Sequence, residues 1–281
     1  MIKVEHLYFS YSQKPFLEDI NFNVGKGEIF GFLGPSGAGK STLQKILTGL
    51  IPKYQGTVVV NGQESRHHNN EFYEGIGVDF EFPTLYEKFT ARQNLTYFGS
   101  LYRGPLRAAD ELLEMVGLQH DADKRVSEYS KGMKSRLNFI KALVHDPQIL
   151  FLDEPASGLD PANSRIMKEI IMTEKRKGKA IILTTHNMYD ATELCDRVAF
   201  IVEGKIAALD SPHNLIMSRG AAKVEYRYDE KGEKKGEALL AETGADERLK
   251  MLIEEGRLLS IHSGEPSLND IFVDITGRSL Q

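Results

Sequence analysis

Residues 34–42, Gly34-Pro35-Ser36-Gly37-Ala38-Gly39-Lys40-Ser41-Thr42, gather glycines, a lysine and hydroxyls where a chain could close around an oxyanion. Gly34, Gly39, Lys40 and Ser41 fit the spacing GxxxxGK[ST]. Glycine has no Cβ, so successive backbone N–H groups can turn inward around phosphate oxygens. The apolar run 29–33 before the loop reads as a short buried strand, and 43–47 after it has helical character. The loop therefore opens a helix, whose N-terminus carries about half a positive charge. In this pattern Lys40 reaches β- and γ-phosphates and the Ser41 hydroxyl ligands Mg²⁺. At an effective dielectric near 20, an ammonium about 4 Å from one phosphate charge contributes about 4 kcal/mol. Polyphosphate, not base, would dominate affinity. Alone, the pattern names a nucleotide-binding superfamily and no reaction.

A second run, Gln148-Ile149-Leu150-Phe151-Leu152-Asp153-Glu154-Pro155, is an apolar strand that ends in two carboxylates. Open parallel sheets place their chemistry at such carboxyl ends. Asp153 there can hold Mg²⁺, through water, while the adjacent Glu154 points elsewhere and can polarise an attacking water as general base. Between the two runs lies Tyr129-Ser130-Lys131-Gly132-Met133-Lys134-Ser135-Arg136 ahead of a helical stretch. Ser130 and Gly132 stand at that helix start, so a hydroxyl, N–H groups and the dipole aim at an anion, although as a lone string it also reads as an ordinary capped helix.

These runs need elements to hold them. Strands are expected over 2–7, 20–24, 29–33 and 57–60, with turns at Gly25-Lys26-Gly27 and Asn61-Gly62. A mostly helical stretch follows over about 90–144. Strand–helix alternation then returns: strands at 149–152, 180–183 and 198–202, helices from Pro161 and near Met188. That order argues for a parallel sheet covered by helices and interrupted by a helical insertion. Past about Leu215 the composition changes. Residues 226–237 read as a solvated hairpin tip. Ser267 and Asp270 can form a capping box, with Leu268, Ile271, Phe272 and Ile275 on one helical face and Gly277 as the stop.

Composition narrows the class. The 281 residues carry 35 Lys plus Arg against 40 Asp plus Glu, net −5, so no basic excess points to nucleic acid. The single cysteine, Cys195, excludes an intramolecular disulfide, suits a reducing compartment and reads as a packed helix position. No apolar region follows Met1-Ile2-Lys3-Val4-Glu5, so no secretory signal is expected, and runs such as 198–202 fall far short of the roughly 18 residues of a membrane span. A soluble chain is expected, with any membrane role borrowed. His67-His68 reads as surface loop, since adjacent residues rarely converge on one ion.

Taken together, the motifs resemble those of the ATPase subunit of an ATP-binding-cassette (ABC) transporter, over residues 1 to about 215. GPSGAGKST resembles the Walker A loop, YSKGM stands where the family signature is often LSGGQ, and ILFLDEP resembles the Walker B strand. Ser157-Gly158-Leu159-Asp160 resembles the D-loop, and Thr184-Thr185-His186 the switch histidine. The resemblance implies an α/β fold: a P-loop NTPase (RecA-like) core with an antiparallel β subdomain and an inserted helical subdomain at about 88–146, all within 1–215. A small α+β appendage over 216–281 would follow. It implies that Gly34, Pro35, Ser36, Gly37, Ala38, Gly39, Lys40, Ser41 and Thr42 bind ATP, with Tyr11 stacked on adenine. Such stacking accepts any base, no NKxD-like motif appears, and weak discrimination between ATP and GTP is expected. Ser130 and Gly132 of a second copy would bind the γ-phosphate held by Lys40, with Asp160 lining the dimer seam. Glu154 and His186 would be catalytic beside Lys40, His186 sensing the γ-phosphate, and Ser41, Glu81 and Asp153 would hold Mg²⁺.

The resemblance further implies two ATPase copies with a separately encoded permease, peripheral on the cytoplasmic face of the membrane. Near 82–95 the family docks a coupling helix; Phe82, Leu85, Tyr86 and Phe89 are apolar candidates, which local core packing would equally explain. The tail Pro266-Ser267-Leu268-Asn269-Asp270-Ile271-Phe272 with Thr276-Gly277-Arg278 is similar to tails of drug- and peptide-exporting systems, which points to export of a drug, peptide or lipid-like cargo. Two other readings stay open: a soluble ABC-type ATPase powering assembly or signalling, and a nucleotide kinase or GTPase-type switch, which leaves YSKGM and His186 unexplained. Two departures from the family stand out. Lys131 and Met133 replace a glycine and a glutamine, and Glu81 stands where a glutamine is usual. A carboxylate can still ligand Mg²⁺ but cannot donate an amide hydrogen. If Glu81 does that metal-sensing work, Glu81→Ala shifts the Mg²⁺ dependence of turnover; unchanged Mg²⁺ titrations and unchanged kcat would exclude the role.

Overall fold

The computed structural model describes all residues except Glu81, 220–222, Lys231, Glu265 and 278–281, and not the side chains of Arg219, Lys223 and Ser263. Glu81, expected as a metal ligand, and Arg278 of the C-terminal run therefore lie outside the described residues. The chain divides into two compact units, Met1–Leu209 and Asp210–Gln281.

In the first unit, β1 (Ile2–Phe9), β2 (Leu17–Val24) and β3 (Ile29–Leu33) lead through the glycine loop into α1 (Lys40–Leu47). Then come β4 (Gln55–Val60), β5 (Gln63–Glu64), α2 (Asn70–Glu74) and β6 (Ile76–Asp79). Helices α3 (Ala91–Gly99), α4 (Ala109–Met115) and α5 (Lys131–Lys141) form the insertion. The unit closes with β7 (Ile149–Asp153), α6 (Pro161–Arg176), β8 (Ala180–Thr185), α7 (Met188–Leu194), β9 (Arg197–Val202) and β10 (Lys205–Asp210).

Burial explains how these elements sort. β1 alternates buried and exposed residues, and it pairs antiparallel with β2 and β4 in a sheet ordered β2-β1-β4-β5. The β4–β5 turn is Asn61-Gly62, both left-handed with φ of 50° and 82°, the chemistry a tight hairpin turn demands. By contrast, β3, β7 and β8 are buried at every position. They are adjacent and parallel in the six-stranded sheet β10-β9-β3-β8-β7-β6, where side chains on both faces are covered. Phe22, Phe30 and Phe32 join the two sheets in one core, each buried ring contributing about 1.5–3 kcal/mol. The stretch expected to be mostly helical is broken between α3 and α4 near Gly104 and Pro105, and again by 3₁₀ turns at Gln119–Asp121 and Val126–Glu128. Strands β5 and β10 were not anticipated: β5 is two residues long and β10 is largely solvent-facing, so neither prints a strong period.

The second unit holds α8 (Pro212–Arg219), β11 (Lys223–Asp229), β12 (Glu233–Leu239), α9 (Glu247–Glu254), β13 (Leu258–Gly264) and α10 (Leu268–Thr276). The division falls just ahead of the expected 215/216 boundary because α8 packs with α10. The solvated hairpin expected over 226–237 needs correction. β11 pairs antiparallel with β12 and β13, and Tyr226 and Tyr228 are core residues packed with Leu249 and Leu252. Their spacing of two puts both rings on one sheet face. Ser267 and Asp270 close a capping box on α10, and Gly277 ends it at φ 65°.

His145 tests the packing beneath the insertion. Its ring stacks on Tyr102 with centroids 3.6 Å apart, its Nε2 donates to the Ile76 carbonyl at 2.9 Å, and its Nδ1 has no partner. Burial holds this imidazole below the usual histidine range. Acidification through about pH 6.5 protonates the unfolded chain first, so native stability present at neutral pH is lost as pH falls. His145→Asn is expected to flatten that loss in urea unfolding at about pH 7.5 and about pH 5.5; identical pH dependence in both proteins would contradict it.

Candidate nucleotide-binding and active site

The glycine loop turns off the end of β3 under close contact. A Cβ on Gly34 would sit 2.2 Å from the Ile201 carbonyl oxygen of β9. Gly39, the N-cap of α1, is left-handed at φ 112°, and a Cβ there would meet Leu17 Cδ2 at 2.7 Å. Ala38 N donates to the Pro35 carbonyl at 3.2 Å, and the Ala38 carbonyl accepts from Gly204 N at 3.2 Å, fixing the bend. Gly39 offers no side-chain cap and the first turn of α1 contains no acid, so the positive helix end meets an incoming anion unopposed. Lys40 Nζ donates to the carbonyls of Gly34 at 2.6 Å and Pro35 at 3.1 Å, which holds the ammonium over the loop. Ser36, Gly37 and Ser41 are exposed beside it. This glycine-permitted bend, with a cation and an open helix start, fits phosphate oxygens. Thr42 Oγ1 shares a hydrogen bond with the Tyr11 hydroxyl at 3.0 Å, and Phe9 and Phe16 meet that ring edge-on. Tyr11 is 63% exposed, tethered to the loop's helix with its ring available for stacking.

Two strands away, β7 delivers its acids to different partners. Asp153 is 9% exposed and accepts a hydrogen bond from Thr184 Oγ1, its register partner on β8. Glu154 is left-handed at φ 52°, a conformation that costs about 1–3 kcal/mol in a non-glycine residue. Its N–H donates to the Thr184 carbonyl at 3.0 Å and its carbonyl accepts from Ser157 N at 3.0 Å, so the neighbouring strand imposes the turn. The turn swings its carboxylate towards the end of β8. There Oε1 accepts from His186 N at 2.8 Å and from His186 Nδ1 at 2.7 Å, and Oε2 from Thr185 Oγ1 at 3.3 Å. A carboxylate can only accept here, so Nδ1 carries a proton, on a largely exposed ring. Glu154 and His186 line a cleft of about 360 Å³ together with Ser157, Gly158 and Asn187.

The remaining expected residues lie at two further helix starts. Ser130 caps α5, accepting from Met133 N at 3.2 Å, and Lys131 rather than an acid opens the first turn. A Cβ on Gly132 would lie 3.5 Å from Leu159 Cδ2, so this helix start abuts the loop 157–160. Asp160 caps α6 through Ala162 N and Asn163 N, both at 3.1 Å. Hydrogen bonds, from the Asn163 side chain above all, hold its carboxyl below the usual range. Asp160 thus has a complete local role as a cap. His68 Nδ1 lies 3.0 Å from the Ser65 carbonyl, and no cluster of three His, Cys, Asp or Glu suited to a metal occurs among the described residues. Gln93 joins Thr90 in the capping box of α3.

Sequence reasoning missed the part played by Thr184 and the whole of a buried polar group around Asn138 on α5. Asn138 bonds Asp79, Phe80, Thr84 and Lys141. Burial pushes the Asp79 carboxyl up to about 7 and the Lys141 ammonium down to about 8. The available signal was one amide inside the apolar run Leu137-Asn138-Phe139-Ile140.

The family profile described as ABC transporter matches residues 17–157. A fluoroquinolones export ATP-binding protein from Mycobacterium tuberculosis (strain CDC 1551 / Oshkosh) is 47% identical over 284 residues, covering 100% of this chain and 94% of that one. This chain belongs to the ABC transporter family. A second relative of this ABC ATPase, the Nod factor export ATP-binding protein I of Rhizobium sp. (strain N33), is 36% identical, covering 97% of this chain and 95% of that one. The structure of an ATP-binding subunit of an ABC transporter superposes with a TM-score of 0.72 at 28% identity, over 77% of this chain and 92% of that chain. The fold is that of a P-loop ABC ATPase, and the protein binds ATP and hydrolyses it. The family match ends before Asp160 and His186, which the full-length relatives cover.

Gly39 supplies a direct check of the cradle in this ABC ATPase. Gly39→Ala forces a Cβ onto Leu17 in a left-handed conformation, at a cost of about 1–3 kcal/mol. ATP binding measured by calorimetry should weaken at least about ten-fold, with a lowered Tm; retention of both would show that the loop tolerates a side chain.

Proposed function

We propose that this ABC ATPase powers an exporter, closing as two copies around ATP and opening on hydrolysis. The observation that carries the reading is the Glu154–His186 clamp at the carboxyl ends of β7 and β8, one strand from the loop of Lys40. Lys40 and the open start of α1 would take the β- and γ-phosphates. Ser130 and Gly132 of the second copy would take the γ-phosphate from its far side, and Asp160 would line the seam. Tyr11 would stack on the base.

Ser41 and Asp153 offer hard oxygen donors suited to Mg²⁺, and Glu81 is assigned to the same set. The ion, when bound, neutralises phosphate charge as a Lewis acid. Glu154 would accept a proton from the attacking water as the new P–O bond forms and the bond from the γ-phosphorus to the bridging oxygen breaks, giving ADP and phosphate. His186, already bonded to the base, orients it and reports loss of the γ-phosphate. ADP lacks the group that bridges the two copies, so hydrolysis removes the contact that favours the closed state.

No helix among the described residues is long and apolar enough to cross a membrane. We therefore assign a separate permease as partner, with the chain peripheral on the cytoplasmic face. Phe82, Tyr86 and Phe89 are 76%, 46% and 37% exposed, while Leu85 is half-buried, which supports the first three as the docking surface. Export of a drug, peptide or lipid-like substrate agrees with relatives named for export of fluoroquinolones and Nod factor. Glu154→Gln is expected to lower turnover at least about 100-fold, form a dimer only with ATP in light scattering, and retain a membrane protein in pulldowns. A monomer in saturating ATP with wild-type turnover would overturn the proposal.

A further inference from the structure

Asn138 lies two turns into α5, 2% exposed, and uses every hydrogen-bonding position of its amide. Its Nδ2 donates to Asp79 Oδ1 at 2.5 Å and to the Phe80 carbonyl at 3.2 Å. Its Oδ1 accepts from Thr84 N at 3.3 Å and from Lys141 Nζ at 2.7 Å. Lys141 in turn donates to the Thr84 carbonyl at 3.1 Å and hydroxyl at 2.8 Å. One side chain therefore binds Asp79 at the end of β6 and both Phe80 and Thr84 beyond it.

The tie continues along the helix. Lys134 Nζ pairs with Glu87 Oε1 at 2.6 Å, Ser127 N donates to the Glu87 carbonyl and Val126 N to the Phe89 carbonyl, both at 2.9 Å. The partly exposed Lys134–Glu87 ion pair is cheap to break, whereas the Asn138 group is buried, where an unmade bond costs about 1–3 kcal/mol. Ser130 stands eight residues before Asn138 on the same helix, about 12 Å along its axis. A helix this short moves as a rod, so the residues that Asn138 grips and the hydroxyl of Ser130 share one rigid lever. The exposed Phe82 sits within the gripped segment, whereas Tyr86 follows it and is held through its backbone by Asn94 of α3, at 2.8 and 3.0 Å.

We propose that Asn138 is a positioning residue: its amide locks Asp79, Phe80 and Thr84 to α5, so that displacement of the surface around Phe82 moves Ser130 relative to the nucleotide. The inference rests on the reading that Ser130 closes onto ATP held by a second copy. It assigns the link between that surface and the closing hydroxyl to a residue that touches neither.

The test places variants of the full chain in the Glu154→Gln background and measures ATP-dependent dimer by light scattering, together with stoichiometry and affinity for a fluorescent ATP analogue. Asn138→Asp removes both Nδ2 donor bonds, to Asp79 and to the Phe80 carbonyl, and sets a second carboxyl against Asp79; it should raise the ATP concentration for half-maximal dimer at least about ten-fold, with analogue affinity within about two-fold. Asp79→Asn alone keeps an acceptor for Asn138 and should shift dimerisation less than about three-fold. The swap Asp79→Asn with Asn138→Asp restores the amide–carboxylate pair between 79 and 138, although not the bond to the Phe80 carbonyl, and should recover dimerisation to within about three-fold. If Asn138→Asp does not fold, the swap decides: recovery supports the role, and a folded, nucleotide-binding swap that cannot dimerise overturns it. Equal dimerisation of Glu154→Gln with and without Asn138→Asp also overturns it. Failure of Glu154→Gln itself to dimerise removes the two-copy reading first, and this inference falls with it.

Discussion

A polyphosphate distributes negative charge over many oxygens, and no single side chain can satisfy them. The chain concentrates its donors where β3, β7 and β8 end side by side, and that arrangement exists only because those strands are buried on both faces. Parallel strands covered on both faces send all their connections out at the same edge. The Lys40 loop, the two acids and His186 thus emerge as neighbours although more than a hundred residues separate the first from the last. Apolar burial in the sheet is what sets the distances between charged groups in the site.

At that edge the two adjacent acids are separated by backbone strain. Asp153 stays in register with Thr184 and remains nearly buried, while the left-handed Glu154 turns its carboxylate onto His186. Two like charges in consecutive positions of a regular strand would point to opposite faces of the sheet. The strained turn instead keeps both at the carboxyl edge with different partners. A hydrogen bond from Glu154 N to the Thr184 carbonyl and one from Ser157 N to the Glu154 carbonyl hold the strain in place, so the second strand positions this carboxylate as much as its own backbone does.

The insertion between β6 and β7 obeys a different logic. Its helices are short and its outward surface includes aromatic rings, yet α5 is joined to the segment after β6 by a saturated buried amide. Stability there comes from satisfied polar groups as well as packing, which makes relative displacement of the joined parts costly.

Much of this was legible in the residue order. Glycine spacing before Lys40, the apolar run before Asp153 and the hydroxyl before the helix of Ser130 each reflect a local rule: close backbone approach, a buried strand, an N-cap. The parallel sheet followed from alternating periods, and the capping box at Ser267 from two residues three apart. The order of strands was not legible, because pairing depends on which apolar faces meet across long separations. Nor were the Glu154–His186 contact, the orienting role of Thr184, the core position of Tyr226 and Tyr228, or the Asn138 group. Local chemistry along the chain determined which residues could serve an anion. Only the tertiary structure decided which partners each one keeps, because hydrogen bonds between distant residues form where packing, not sequence proximity, brings donors and acceptors within about 3 Å.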